Sequence, residues 1–212
     1  MSEVRAVQKT EMPEINAQAA IVVTQHEGRI LLEKNARMKL PPAFLTKITA
    51  SIIALEKCNP TDKVTVSENV VKQVSGWKSA AAINLEAGEQ ISVLDLVYSM
   101  MLVSANDSLF ALAEFICGGI DKFAVMMEEK AKEIGAESTV ITSADGKFTS
   151  EQYSNAYDLA IICRYCMTNR IFRNIAASDK YTIPATNLNG PREIQNTNLL
   201  VNSRNRRYRY ET

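Results

Sequence analysis

The chain has 212 residues, 24 Lys+Arg balanced by 24 Asp+Glu, one His, four Cys and 46% hydrophobic residues. That length suits a single domain that buries a core without disulfide staples, and zero net charge argues against a life on a nucleic-acid backbone or an anionic membrane. Few Gly and Pro beside 23% charged residues argue against long disorder.

The first residues, Met1–Glu11, are polar and lack the apolar run of about 7–15 residues that a signal peptide needs. No apolar stretch approaches the roughly 18 residues of a membrane span. Residues 1–18 are read as a polar lead and 19–212 as one domain. Ala19–Gln25 and Arg29–Glu33 read as two strands of a hairpin, joined through His26-Glu27-Gly28. The lone His falls in that turn, an exposed structural position rather than a catalytic one. Pro41-Pro42 closes the extended region, and apolar residues at 45, 48, 52 and 55 predict a helix over Phe44–Lys57. Asn59-Pro60-Thr61-Asp62 is a turn and Val64–Val66 a short strand. The run from Ser67 to Glu89 reads as loop, with extended pieces around Ala81–Leu85.

Ser92 through Asp95 forms a capping box that opens an apolar helix through Val103. Ser104-Ala105-Asn106-Asp107 interrupts it, and a second helix runs to Cys117. Gly118-Gly119 breaks the chain again, and Asp121–Ile134 is an amphipathic helix closed by Gly135. Ser143–Ser154 is a polar loop carrying Asp145-Gly146. Asn155 caps a helix over Ala156–Met167, with Asp158 at its N3 position. Cys163 and Cys166 make a CxxC inside that helix, unaccompanied by a second CxxC or a His cluster, and read as core residues rather than a zinc or redox pair. Lys180–Pro184 and Arg192–Gln195 flank a Thr186–Gly190 turn as a second hairpin. The layout is α+β, a helical middle with a sheet drawn from both chain ends.

Three stretches stand out together: Pro42-Ala43-Phe44-Leu45-Thr46-Lys47, Ser104-Ala105-Asn106-Asp107, and Asn196-Thr197-Asn198-Leu199-Leu200. With their order and spacing, and with the segments LLEKNA, DKVTVSENVV, LEAGEQISVLDLVYSMMLVSANDS, YSNAYDLAIICRY and YTIPATN, the sequence resembles the serine D-alanyl-D-alanine carboxypeptidases, the low-molecular-weight penicillin-binding proteins. The resemblance covers nearly the whole chain. It implies the penicillin-binding protein and serine β-lactamase fold, a helical region on an antiparallel sheet. It implies work in the cell envelope outside the cytoplasm on peptidoglycan stem peptides ending in D-Ala-D-Ala, without a metal or organic cofactor, and β-lactams as family ligands.

In such enzymes a serine at i and a lysine at i+3 share one helix face, and burial lets a neutral amine take the serine's proton. The serine of an SxN loop passes that proton toward the leaving group while its Asn orients the substrate backbone. A later Lys-Thr-Gly strand holds the terminal carboxylate and completes the oxyanion hole. Carried over residue by residue, Lys47 matches the motif lysine, Ser104 the SxN serine and Asn106 the SxN asparagine. The nucleophile position is Phe44, which has no lone pair to attack a carbonyl. Loss of a nucleophile in an analogous serine enzyme lowers kcat by about 10⁶, so no covalent β-lactam binding is expected.

No replacement nucleophile presents itself. Thr46 is rotated about 200° from position 44. Ser51 lies one turn deeper, and Ser75-Gly76-Trp77-Lys78 is a literal SxxK in a loop. The resemblance also leads one to expect Lys-Thr-Gly after a basic, Tyr-rich segment. Asn202–Thr212 supplies that segment, but no Lys-Thr-Gly occurs in the 212 residues, so the domain is expected to be C-terminally incomplete. Arg204, Arg206, Arg207 and Arg209 interleaved with Tyr208 and Tyr210 have the composition of a single-strand-binding surface. They read instead as a solvated segment leading into further structure, and no nucleic-acid partner is expected. A non-catalytic protein that binds peptidoglycan or a cell-wall partner through a preserved cleft is the alternative reading.

Overall fold

The computed structural model describes residues 14–75 and 81–201. The predicted N-terminal hairpin forms between β1 (Ala20–Val23) and β2 (Ile30–Lys34), antiparallel with Ala20 opposite Lys34 and Ile21 opposite Glu33. Its turn is tied to the helix α6 (Ala156–Cys166). Arg164 donates to the carbonyls of Gln25 and His26, and the Gln25 amide donates back to Arg164. Polar ties also anchor the end of the lead: Lys34 donates to the Ile15 carbonyl at 2.6 Å and Asn35 to that of Gln18.

The interior is a helix pack. α1 (Thr46–Lys57), α3 (Val93–Leu102), α4 (Asn106–Cys117) and α5 (Ile120–Ile134) lay Ile52, Ile53, Leu96, Met100, Leu109, Leu112, Phe123 and Met127 into one core, each at most 1% exposed. Full burial of such a side chain contributes about 1.5–3 kcal/mol. The predicted caps form: the Ser92 hydroxyl accepts from the Asp95 N–H at the head of α3, and Asn155 accepts from the Asp158 N–H at the head of α6. Gly118 and Gly135 end α4 and α5 in left-handed conformations, as expected for residues without a Cβ.

Two helices depart from the reading of the sequence. The run taken as loop contains α2 (Glu68–Ser75), started by the Ser67 hydroxyl accepting from the Val70 N–H and held to the core by Val70, 2% exposed. A short helix, α7 (Arg170–Ala176), follows α6. Asn169 caps it by accepting from Ile171 and Phe172, and it buries Phe172 and Ile175.

The sheet also differs. Among the described residues there are three separate two-stranded ladders: β1 with β2, β3 (Lys63–Thr65) with β4 (Gln90–Ser92), and β5 (Lys180–Ile183) with β6 (Arg192–Gln195). The predicted second hairpin is present, but it does not join the first into one sheet drawn from both chain ends. Its side chains are committed elsewhere. The Tyr181 ring stacks on Tyr98 of α3 at 3.7 Å, its hydroxyl donates to Asp95 at 2.7 Å, and Ile183 and Ile194 enter the core. The α+β class stands, as small antiparallel pairs around helices. None of the helices is long and apolar enough to cross a membrane, among the described residues.

Candidate active site

Pro41-Pro42 delivers the chain into a 3-10 turn, Ala43–Leu45, that runs directly into α1. The predicted helix therefore starts two residues late as α-helix, with position 44 on the tighter turn. Ala43 sits at φ +47°, a region L side chains rarely adopt. Lys47, one turn on, is buried at 2% exposure, whereas the Phe44 side chain is 58% exposed. The Phe44 ring centroid lies 4.7 Å from Lys47 Nζ, so the two positions that the resemblance paired as hydroxyl and amine hold a ring over an amine. Burial lowers the Lys47 amine to about 8, against the opposing pull of the Asp145 and Asp107 carboxylates. Near neutrality about one tenth of such an amine is unprotonated.

The second stretch meets the first. Lys47 Nζ donates to Ser104 Oγ at 2.9 Å and to the Ser104 carbonyl at 2.6 Å. Ser104 can reach it because it occupies φ +59° between α3 and α4, breaking the helical line and turning the chain. Asn106 begins α4; its N–H donates to the Ala81 carbonyl at 2.7 Å, and its side chain is buried with Oδ1 lacking a partner among the described residues. Next to it, burial pushes the Asp107 carboxyl up. The Leu85, Ile83 and Ser108 N–H groups oppose that by donating to it, and they fasten the Ala81–Leu85 piece to α4. The third stretch arrives at the same place: the Thr197 N–H and hydroxyl both donate to the Leu102 carbonyl, two residues before Ser104.

The 143–147 loop was not singled out by the sequence, yet it forms the floor beneath position 44. Thr46 donates to the Ala144 carbonyl at 2.9 Å, and Leu40 and Ser154 exchange backbone hydrogen bonds that draw the two segments together. Gly146, at φ +78°, comes so close that a Cβ there would lie 2.2 Å from the Ala43 carbonyl oxygen. Asp145, 4% exposed, accepts from the Ser143 hydroxyl and the Lys147 N–H and contributes its charge to Lys47. The Asp145-Gly146 pair is a turn signal in sequence, and no spacing links it to position 44.

The residues weighed as stand-ins are engaged elsewhere. Thr46 gives its hydroxyl to Ala144 and Ala43, and Ser51, fully buried, donates to the Lys47 carbonyl. Ser75 ends α2 with its hydroxyl on Lys72, while Trp77 and Lys78 lie outside the described residues, as does Asn202–Thr212. His26 is exposed in its turn. Burial pushes both the Cys163 and Cys166 thiols up, which removes the thiolate character that redox or metal chemistry draws on.

A family model described as D-alanyl-D-alanine carboxypeptidase matches residues 6–208. The chain is 33% identical over 153 residues to the D-alanyl-D-alanine carboxypeptidase DacF of Bacillus subtilis, covering 70% of this chain and 38% of that protein. It is 31% identical to DacC of Escherichia coli over 74% of this chain and 41% of the relative. The chain thus spans about two fifths of the length of these curated relatives. Among solved structures, a D-alanyl-D-alanine carboxypeptidase from Mycobacterium tuberculosis superposes with a TM-score of 0.83 at 26% identity, over 95% of this chain and 74% of that one. Penicillin-binding protein 6B from Escherichia coli gives 0.79 at 28% identity, over 90% of this chain and 60% of that one.

Proposed function

The chain belongs to the D-alanyl-D-alanine carboxypeptidase family, and from that premise we propose that it keeps the family's proton-handling groups but does not turn over stem peptides through a serine at position 44. The reacting partner would be a peptidoglycan peptide ending in D-Ala-D-Ala, met in the cell envelope. In this reading Lys47 is the motif base, Ser104 the relay hydroxyl and Asn106 the group that orients the substrate backbone. One observation carries the loss of chemistry: the Phe44 ring stands 4.7 Å from Lys47 Nζ, where the nucleophilic hydroxyl belongs. A hydrocarbon ring offers no electron pair to a carbonyl and occupies the room the carbonyl needs.

A fluorescent penicillin is therefore expected to leave the chain unlabelled after denaturing electrophoresis, and a covalent band would overturn the reading. Phe44→Ser, placed in a chain supplied with a downstream Lys-Thr-Gly strand, is expected to gain the label. A peptide-binding role without cleavage draws support from a separate observation, the buried Asn106 Oδ1 that lacks a donor among the described residues. An unmatched buried acceptor is costly, and a substrate N–H would relieve it. Calorimetric titration with a D-Ala-D-Ala peptide is expected to show saturable binding that Asn106→Ala weakens. A flat titration removes this second reading.

A further inference from the structure

With a ring at position 44, the Lys47 amine serves a single hydroxyl. Thr46 and Ser51 spend theirs on backbone carbonyls, and the amine's polar contacts among the described residues are both with Ser104. Those two contacts suit a base. A neutral amine has two N–H bonds and one lone pair. One N–H can rest on the Ser104 carbonyl, 2.6 Å away, while the lone pair receives the proton of Ser104 Oγ at 2.9 Å. Ser104 is half-buried rather than sealed, and its φ of +59° holds the hydroxyl in a conformation that costs backbone strain, a common mark of reactive serines on sharp turns. Burial of Lys47 supplies the neutral fraction that such a transfer requires.

We propose that Ser104 and Lys47 form a serine–lysine dyad in their own right, with Ser104 as the nucleophile toward small activated acyl or phosphonyl groups. This goes beyond the loss of chemistry at position 44 and concerns a different atom. With a fluorophosphonate, Ser104 Oγ forms the O–P bond as its proton passes to Lys47 Nζ, the P–F bond breaks, and fluoride leaves with its electron pair. With an aryl ester, the same attack expels the aryloxide and leaves an acyl-serine. The aryloxide takes the proton from Lys47 and departs as the phenol. Water then gives a proton to the neutral Lys47 as it adds to the ester, and Ser104 Oγ leaves, recovering that proton as the carboxylic acid is released.

The test is a fluorophosphonate reporter on the full 212-residue chain, read by intact mass and peptide mapping. One adduct per chain is expected, on Ser104, with a labelling rate that climbs as pH rises through about 8. Ser104→Ala is expected to lose the adduct and Lys47→Met to slow it about 100-fold or more, with unchanged circular dichroism confirming that each variant folds. Ser104→Cys gives an independent reading, since iodoacetamide should modify residue 104 faster than any of the four native cysteines. An adduct elsewhere, no adduct, or equal labelling of parent and Ser104→Ala overturns the dyad. Absence of a fluorophosphonate adduct leaves the expected lack of penicillin labelling standing, whereas a penicillin adduct on Ser104 overturns that expectation and keeps the dyad.

Discussion

Lys47 ties the chemistry of the cleft to the stability of the fold. In the unfolded chain its amine titrates near its ordinary value of about 10.4, and in the folded chain near 8 because burial disfavours the ammonium. Between those values the unfolded chain holds a proton that the folded chain has released, so stability rises with pH across that window. Below it the fold carries the whole penalty of a charged, buried amine. Relative to Lys47→Met, which cannot titrate, the parent is expected to gain about 1–3 kcal/mol between pH 7 and pH 10. Urea unfolding of both proteins at the two pH values measures this, and a difference that does not change with pH contradicts it. The family resemblance placed Lys47 as the motif lysine, three residues after position 44 on one helix face. It could not show Asp145 beside it, because that proximity arises from packing between segments almost a hundred residues apart.

At the scale of elements, the helix ends were the legible part. Ser92 with Asp95, and Asn155 with Asp158, are local signals: a short polar side chain finds an N–H three residues on, whatever the rest of the chain does. α2 and α7 escaped notice because they are short and are kept helical by tertiary burial of Val70, Phe172 and Ile175, not by a long apolar period. The contact between the 143–147 loop and the 43–46 turn was illegible for a related reason, since on the loop side it is made by main chain: the Ala144 carbonyl under the Thr46 hydroxyl and Gly146 against Ala43. Its sensitivity is correspondingly sharp. Gly146→Ala is expected to lower stability by about 2 kcal/mol or more, from a Cβ forced onto the Ala43 carbonyl and a positive φ imposed on alanine. Thermal melts of the variant check this, and an unchanged midpoint would show that the turn yields freely.

At the scale of the molecule, Glu89 locks the second hairpin to the helical body. Its carboxylate is fully buried and receives the Arg192 guanidinium, the Thr186 hydroxyl, the Asn189 amide and the Glu86 N–H. Burial alone would push this carboxyl up; the Glu86 N–H, Arg192 and Thr186 together hold it below the ordinary value. A depressed carboxyl contributes stability above its unfolded value and loses it as pH falls through the folded one. In Glu89→Gln either orientation of the amide sets an NH₂ against two donors, so a loss of about 3 kcal/mol is expected at neutral pH. The gap to the parent should narrow in acid. Paired melts at neutral and acid pH read both outcomes, and a constant gap rules out the linkage. The sequence showed two hairpins, but which body each would join depended on Tyr181, Ile183 and this buried carboxylate.

The floor under position 44 is made of main chain: a carbonyl at Ala144, a glycine at 146, and a bridge between Leu40 and Ser154. The side chain at 44 itself stands more than half in solvent, its ring over the Lys47 amine. Little of the fold's burial therefore depends on that side chain. Each phenylalanine codon differs from one serine codon by a single pyrimidine at the middle base. Gain and loss of the hydroxyl at this place are thus neighbouring genotypes.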